Sequence, residues 1–153
     1  MKSLDDFDLE ILRQLQQDPS IRMADLAEKV GLSQTPCWRR VKAMEESGVI
    51  AGRAVLIDGA RLGLRMNVFA HIRLSRHDEE TLETLERELR AHPEIVECFL
   101  MGGEYDYLLR IVVPDIEEYE RYLKKILVHL PGVASVNSTF ALKAIKVTTA
   151  LPI

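Results

Sequence analysis

The stretch Ser33-Gln-Thr-Pro-Cys-Trp-Arg-Arg-Val-Lys-Ala-Met44 decides the fold of the first part of this chain. Its apolar side chains recur at helical spacing, which predicts the buried face of an α-helix: Cys37, Val41 and Met44. Its basic side chains lie on other faces of that helix: Arg39, Arg40 and Lys42. A short basic helix that packs from behind and follows a glycine turn is typical of helices that enter the major groove of DNA.

The bulk composition is typical of a soluble globular protein, with 47% hydrophobic and 29% charged residues in a chain of 153 residues. No apolar run approaches the roughly 18 residues that span a bilayer. The start, Met1-Lys-Ser-Leu-Asp-Asp6, lacks the apolar core of a signal peptide. We therefore expect a cytoplasmic protein that makes no membrane contact. Cys37 and Cys98 are expected to be free thiols there.

The net charge of −4 does not favour nucleic-acid binding by itself. Acidic residues slightly outnumber basic ones in both the first 60 residues and the remainder, so neither part is a basic domain. Any DNA contact must therefore come from a small local patch, and affinity would need more than one copy of that patch. This points to an oligomer.

The residues around the basic stretch predict two further helices. Apolar periodicity and chain-breaking residues give the three predicted segments: Asp5–Gln17, Met23–Val30 and a helix that ends at Ser47-Gly48. Gly31 can adopt the left-handed turn between the second and third helices, and Ser33 or Thr35 is expected to cap the third. The last two helices then form a helix-turn-helix.

The remaining sequence predicts a small wing and an α+β domain. Short β segments are expected in 49–57, followed by a linker. The later pattern is strand, helix, strand, strand, helix, strand, which is ferredoxin-like. The predicted ranges are 1–52 for the winged helix-turn-helix, 53–65 for the wing strand and linker, and 66–153 for the βαββαβ domain. Both helices of that domain lie on one side of its sheet, so a second copy is expected to cover the other side.

The chain resembles the Lrp/AsnC, or feast/famine, family of transcriptional regulators over nearly its whole length. The motifs that carry the resemblance are Asp5-x-x-Asp8-x-x-Ile11-Leu12, Leu26-Ala27-x-x-Val30-Gly31-Leu32-Ser33, Arg39-Arg40-Val41, Glu46-x-Gly48-Val49-Ile50, Gly103-Glu-Tyr-Asp-Tyr107 and Leu130-Pro-Gly-Val133. The resemblance implies homodimers that associate further, often to octamers, and an amino-acid-responsive second domain. Thr35-Pro-Cys-Trp38 and the segment Ile145–Pro152 resemble a branch that includes a cysteine-responsive regulator.

Seven residues of the basic helix are candidate contacts to double-stranded DNA: Ser33, Gln34, Thr35, Trp38, Arg39, Arg40 and Lys42. Arg39 is the candidate for a guanine, because its fork matches O6 and N7, and Gln34 could read an adenine. Arg40 and Lys42 are expected at phosphates, although Arg40 could instead pair with Glu46 or with an acid on the first helix. Cys37 is expected in the core.

A glycine turn in the second domain is the candidate effector site. It comprises Met101, Gly102, Gly103, Glu104, Tyr105 and Asp106. Its glycines allow close approach of backbone N–H groups to a carboxylate, and Glu104 or Asp106 could accept from an ammonium. The resemblance adds Ser138 on the last strand and a position between neighbouring dimers, whereas Val136 stands where many members carry Thr. The turn could equally be a tight hairpin at an oligomer interface.

We expect no enzyme, no metal and no cofactor, because no nucleophile–base motif, phosphate loop or metal-ligand spacing occurs. Two alternatives remain open. Siroheme decarboxylases resemble this family and would bind a tetrapyrrole instead of DNA, and an architectural protein would bind DNA without an effector. Among amino acids, the resemblance favours cysteine, followed by alanine or a branched-chain amino acid.

Overall fold

The computed structural model describes residues 4–153, which form two compact units. A helical unit contains the described residues up to Leu56 together with Lys146–Ile153, and a sheet unit contains Ile57–Ile145. The segment Lys146–Ile153 thus groups with the helices, whereas the sequence placed it in the predicted range 66–153. No helix among residues 4–153 is long and apolar enough to span a membrane.

The helical unit is built from α1 (Asp6–Gln17), α2 (Met23–Lys29) and α3 (Gln34–Glu46). The start of α1 is held by a capping box, in which Asp5 and Asp8 each accept a hydrogen bond from the other's backbone N–H. The three helices share one core: Ile11, Leu26, Ala27, Val30, Cys37, Val41 and Met44. The predicted apolar face of α3 is therefore its buried face.

The turn between α2 and α3 is made by Gly31, whose φ of +70° lies in the left-handed region. The Leu32 N–H donates to the Ala27 carbonyl at 2.9 Å and closes the end of α2. Ser33 occupies the N-cap position of α3, but its side chain makes no capping hydrogen bond. Of the two expected caps, Ser33 is therefore the N-cap residue and Thr35 lies within the first turn, but the Ser33 hydroxyl does not cap the helix and is free for another partner.

The predicted wing strands are absent between Val49 and Ile57 in the described chain. This segment has no regular structure, and Val55, Leu56 and Ile57 are 69–87% exposed. A β-strand needs a neighbour for its backbone N–H and C=O groups, and the chain supplies none here. The apolar residues that favoured a strand thus remain open to solvent in the single chain.

The sheet unit has four antiparallel strands in the order β2-β3-β1-β4. Its elements follow the chain as β1 (Met66–Leu74), α4 (Glu79–Ala91), β2 (Ile95–Leu100), β3 (Tyr107–Val113), α5 (Ile116–Lys125) and β4 (Val133–Phe140). This is the ferredoxin-like α+β architecture that the sequence predicted. Tyr105 and Asp106 lie in the turn before β3, which begins at Tyr107.

The two faces of the sheet differ in burial. Alternate residues of β1 and β3 are buried in one core with side chains of α4 and α5, among them Ile72, Leu109, Leu85 and Tyr119. The other face carries the intervening residues, which are partly or fully exposed: Phe69, His71, Arg73, Leu108, Arg110 and Val112. Both helices therefore lie on one side and leave the other sheet face open, as the pattern predicted.

Candidate nucleic-acid interface and effector cavity

The face of α3 opposite the core is formed by exposed polar and basic side chains. Its exposed residues are Gln34, Thr35, Trp38, Arg39 and Lys42, with Ser33 just before the helix. Trp38 is 53% exposed, an unusual position for a large aromatic side chain in a single chain. Because Cys37, Val41 and Met44 anchor the helix from behind, this face projects from the helical unit on a fixed support.

Arg39 and Lys42 are exposed, and neither forms an ion pair with any of residues 4–153. The other arginine of the helix differs. Arg40 is held by two carboxylates of the α1 start, and its Nη1 donates to Asp8 Oδ1 at 2.7 Å and to Asp5 Oδ2 at 2.8 Å. Its guanidinium also lies 5.5 Å above the Phe7 ring centroid.

These contacts explain the shifted ionisation of the Arg40 cluster. The hydrogen bonds to Asp8 and Asp5 raise the pKa of Arg40, so the guanidinium stays charged. The Asp8 backbone N–H and Arg40 together lower the pKa of Asp5. Of the two roles that the sequence left open for Arg40, the structure shows the ion pair with the first helix.

Cys37 has no exposed surface, and burial raises the pKa of its thiol. Cys98 lies on β2 and is exposed. The two sulfhydryl groups are free in the structure, with Cys37 serving as part of the helical core. Among residues 4–153, no cluster of three or more His, Cys, Asp or Glu could hold a metal ion.

In the turn Met101–Asp106, the carboxylate of Asp106 is already engaged. The Leu74 N–H donates to Asp106 Oδ2 at 2.7 Å, and His77 Nε2 lies 2.8 Å from Oδ1. These two contacts lower the pKa of Asp106. The Asp106 N–H also donates to the Ile72 carbonyl at 2.8 Å, so this residue ties the turn to the end of β1.

Beside this turn lies an open cavity of about 400 Å³ lined by Arg73, Glu104, Tyr105 and residues 135–138. Arg73 donates to Glu104 Oε1 at 3.0 Å and lies 5.5 Å over the Tyr105 ring. The Asn137 amide donates to the Tyr105 hydroxyl at 3.2 Å. One basic, one acidic and several neutral polar groups therefore converge on the same opening.

Sequence reasoning missed Arg73, Ser135 and Asn137 as members of this cavity. Strand alternation in the sequence could have identified Arg73, which like His71 occupies an outward position of β1. In the structure, pairing of β1 with β4 places Ser135 opposite Arg73. The pairing itself cannot be read from the sequence. Met101 and the two glycines are exposed in the turn but do not line the cavity.

Ser138 lines the cavity, yet its hydroxyl is hydrogen-bonded to the Tyr119 hydroxyl at 2.5 Å. Ser138 pairs with Ala70, whose side chain is buried on the helix side of the sheet. Val136 is two residues earlier on the same side and packs against the core. The departure from Thr at Val136 therefore adds apolar packing on the helix side of β4.

The two units define a DNA-binding protein with a separate ligand-binding domain. The chain belongs to the Lrp/AsnC family: the Lrp/AsnC ligand binding domain matches residues 67–151, and a winged helix-turn-helix DNA-binding domain matches residues 4–51. It is 38% identical over 150 residues to the DNA-binding transcriptional activator DecR of Escherichia coli, covering 98% of this chain and 99% of that protein.

Two solved structures share the fold over almost their full length. An AsnC family transcriptional regulator from Agrobacterium tumefaciens has 45% identity and a TM-score of 0.88, with 97% of each chain covered. A transcriptional regulator from Neisseria meningitidis in complex with L-Met has 33% identity and a TM-score of 0.93, covering 98% of this chain and 97% of that one. All three relatives are thus transcriptional regulators; DecR binds DNA, and the Neisseria protein is in complex with L-Met.

Proposed function

We propose that this protein is a sequence-specific transcriptional regulator, without enzymatic activity, whose DNA binding responds to a free amino acid in the cytoplasm. The observation that carries the proposal is the exposed basic face of α3, where Arg39 and Lys42 have no acidic partner among residues 4–153. Unpaired basic groups on a rigidly anchored helix are available to bases and phosphates without first breaking an ion pair.

Each exposed residue of α3 has a proposed contact. Arg39 donates to O6 and N7 of a guanine, and Gln34 pairs with an adenine. The Thr35 methyl and the Trp38 ring pack on a thymine methyl or the sugar backbone. Lys42 and Ser33 bind phosphates. Arg40 instead positions α3, because its Nη1 binds the carboxylates of both Asp5 and Asp8 at the start of α1.

The proposed effector site is the cavity beside the turn Met101–Asp106. A zwitterionic amino acid carries one carboxylate and one ammonium, and the Arg73–Glu104 pair offers the complementary charges at one opening. Cysteine is the first candidate effector, followed by alanine or a branched-chain amino acid.

The proposed assembly is a homodimer that associates to a higher oligomer, an octamer being the expected size. Two exposed apolar surfaces support this. The open sheet face carries the partly exposed side chains of Phe69, Leu108 and Val112, and the apolar segment Val55–Ile57 is exposed and has no regular structure. A second copy would cover both surfaces and would also supply the second basic helix that a chain of net charge −4 requires.

The test is a mobility-shift titration on the upstream region of its own gene at a stated salt concentration. Wild type is compared with Arg39→Ala and with the matched control Arg61→Ala, which removes the same charge from an exposed site outside α3. Each protein is titrated with and without a panel of free amino acids. A specific shift that only Arg39→Ala weakens, and that one amino acid changes, is the expected result.

Two other outcomes would replace this proposal. Equal DNA affinity with and without every amino acid would favour an architectural protein. No shift under any condition, together with tight binding of a tetrapyrrole, would favour a siroheme-decarboxylase-like enzyme.

A further inference from the structure

The segment Lys146–Ile153, called here the tail, is docked on α1 through its last three residues. Gln16 makes a two-point contact with Leu151: its Oε1 accepts from the Leu151 N–H at 2.6 Å, and its Nε2 donates to the Leu151 carbonyl at 3.3 Å. Arg13 Nε donates to the Ile153 carbonyl at 2.9 Å. All these groups belong to the helical unit.

The tail presents its backbone in a pre-formed turn. The Ile153 N–H donates to the Leu151 carbonyl at 3.0 Å, which closes a three-residue turn centred on Pro152. The proline ring restricts φ to the value that such a turn needs, so little conformational entropy is lost on docking. Because Gln16 and Arg13 bind backbone groups, the docking depends on the path of the tail rather than on its side chains.

The chain between β4 and the docked residues has few other anchors. Leu142, Ile145 and Val147 are 81–100% exposed. Residues 141–145 connect the tail to β4, the strand that carries the cavity residues Ser135 and Asn137, and the tail itself is hydrogen-bonded to α1 at Leu151 and Ile153. It is the second covalent connection between the units, after the segment near Ile57.

The opposite end of α1 is ion-paired with α3, the proposed recognition helix. Asp5 and Asp8 at its start bind Arg40 of α3, whereas Arg13 and Gln16 near its end bind the tail. A helix of 12 residues is about 18 Å long and behaves as a rigid rod. Contacts therefore run without a break within the helical unit, from the tail to α1 and from α1 through Arg40 to α3.

We infer that the tail is a docked arm through which the effector-binding domain influences the recognition helix, with Gln16 as the residue that holds it. This inference rests on the proposed function. A ligand that alters the end of β4 changes the equilibrium between docked and released tail, and only such a difference between two states can shift DNA affinity. Release of the tail leaves the end of α1 unsupported while the Arg40 contact remains.

The test compares wild type with Gln16→Ala, with the matched control Gln17→Ala on the same helix, and with a chain that ends at Ala150. Gln17 is exposed, and Gln17→Ala makes the same change in helix propensity. The first measurement is hydrogen exchange of the full-length protein without DNA or effector. Gln16→Ala should accelerate exchange at the Leu151 amide, and both Gln16→Ala and the shortened chain should accelerate it in the last turn of α1.

The second measurement is the ratio of DNA affinities with and without the effector found in the mobility-shift titration. Couplings of this kind typically change affinity by about 5- to 150-fold. We expect Gln16→Ala and the shortened chain to bring the ratio close to one. Because the effector is proposed to favour one state of the tail, the same variants should also shift effector affinity in the absence of DNA. Gln17→Ala should keep the wild-type ratio.

The outcomes separate this inference from the proposed function. Unchanged exchange in Gln16→Ala overturns docking. Accelerated exchange with an unchanged affinity ratio overturns the coupling role while the proposed function stands. If wild type shows no effector response, the proposed function and the coupling role fail together, and hydrogen exchange alone decides docking.

Discussion

Arg40 on α3 and Asp8 on α1 are joined by a 2.7 Å contact between Nη1 and Oδ1, and the Asp8 side chain is only 14% exposed. The same Asp8 forms the capping box of α1 with Asp5. One carboxylate therefore stabilises a helix start and orients the recognition helix. We therefore propose that Arg40 contributes to DNA affinity by positioning α3 and not by direct contact with DNA.

Arg40→Ala should destabilise the helical unit by about 1 kcal/mol, because the partly buried carboxylate of Asp8 loses its charged partner. It should weaken binding to all DNA sequences similarly, since α3 loses its fixed orientation. The control is Arg22→Ala, whose partner Asp25 lies three residues away and whose side chain is 82% exposed. Urea unfolding measures the loss of stability, and mobility-shift titration measures the loss of DNA affinity. Loss of discrimination between operators in Arg40→Ala would instead indicate a base contact.

Lys42 and Arg39 should be distinguishable by the salt dependence of DNA binding. Lys42→Ala removes one proposed phosphate contact, so the slope of log affinity against log salt should decrease in magnitude by about 1, with sequence preference unchanged. Arg39→Ala should cost about 1–3 kcal/mol on the preferred operator and much less on a substituted one. Filter binding at several salt concentrations measures both quantities. Identical salt and sequence effects in the two variants would contradict the assignment.

Gly132→Ala should destabilise the sheet unit by about 2–4 kcal/mol. Gly132 has φ +74°, and a Cβ built there lies 2.5 Å from Thr81 Cγ2. Thr81→Ser removes this methyl and keeps the hydroxyl that donates to Asp78, so it should restore part of the loss in the double variant. Gly63→Ala is the control for backbone strain alone, because φ is +85° and nothing lies within 4 Å. Urea unfolding gives the free energies.

The stability of the sheet unit should depend on Asp106 at acid pH. Contacts with the Leu74 N–H and His77 hold the pKa of Asp106 below its ordinary value of 3.8. A carboxyl group with a lowered folded-state pKa stabilises the fold above the unfolded pKa, and this contribution disappears as the pH falls through the folded-state pKa. Wild type should therefore lose more free energy of unfolding below about pH 4 than Asp106→Asn. Parallel pH profiles in urea titrations would contradict this.

Much of the secondary structure followed from local patterns. The spacing of Cys37, Val41 and Met44 predicted the buried face of α3, and the order of strand and helix patterns predicted the βαββαβ domain. These predictions succeed because helix and strand periods of 3.6 and 2 residues act over a few neighbours. The prediction of wing strands failed because a strand depends on a partner outside its own segment, and the chain provides none for residues 49–57.

The candidate sites divide in the same way. The exposed basic residues of α3 could be found from the sequence, because a helix face is a property of a single segment. The cavity that joins Arg73, Glu104 and Asn137 could not, since its members come from two strands and a turn whose register appears only in the folded sheet.

By itself, then, the sequence determined the three helices of the first unit, the βαββαβ order of the second and the basic face of α3, because each depends on neighbours in the chain. Only the tertiary structure decided that Arg40 pairs with Asp8 and that Gln16 holds Leu151, a partner 135 positions away. A polar side chain satisfies its hydrogen bonds with whichever groups the packed chain brings within about 3 Å, and no local period encodes that distance.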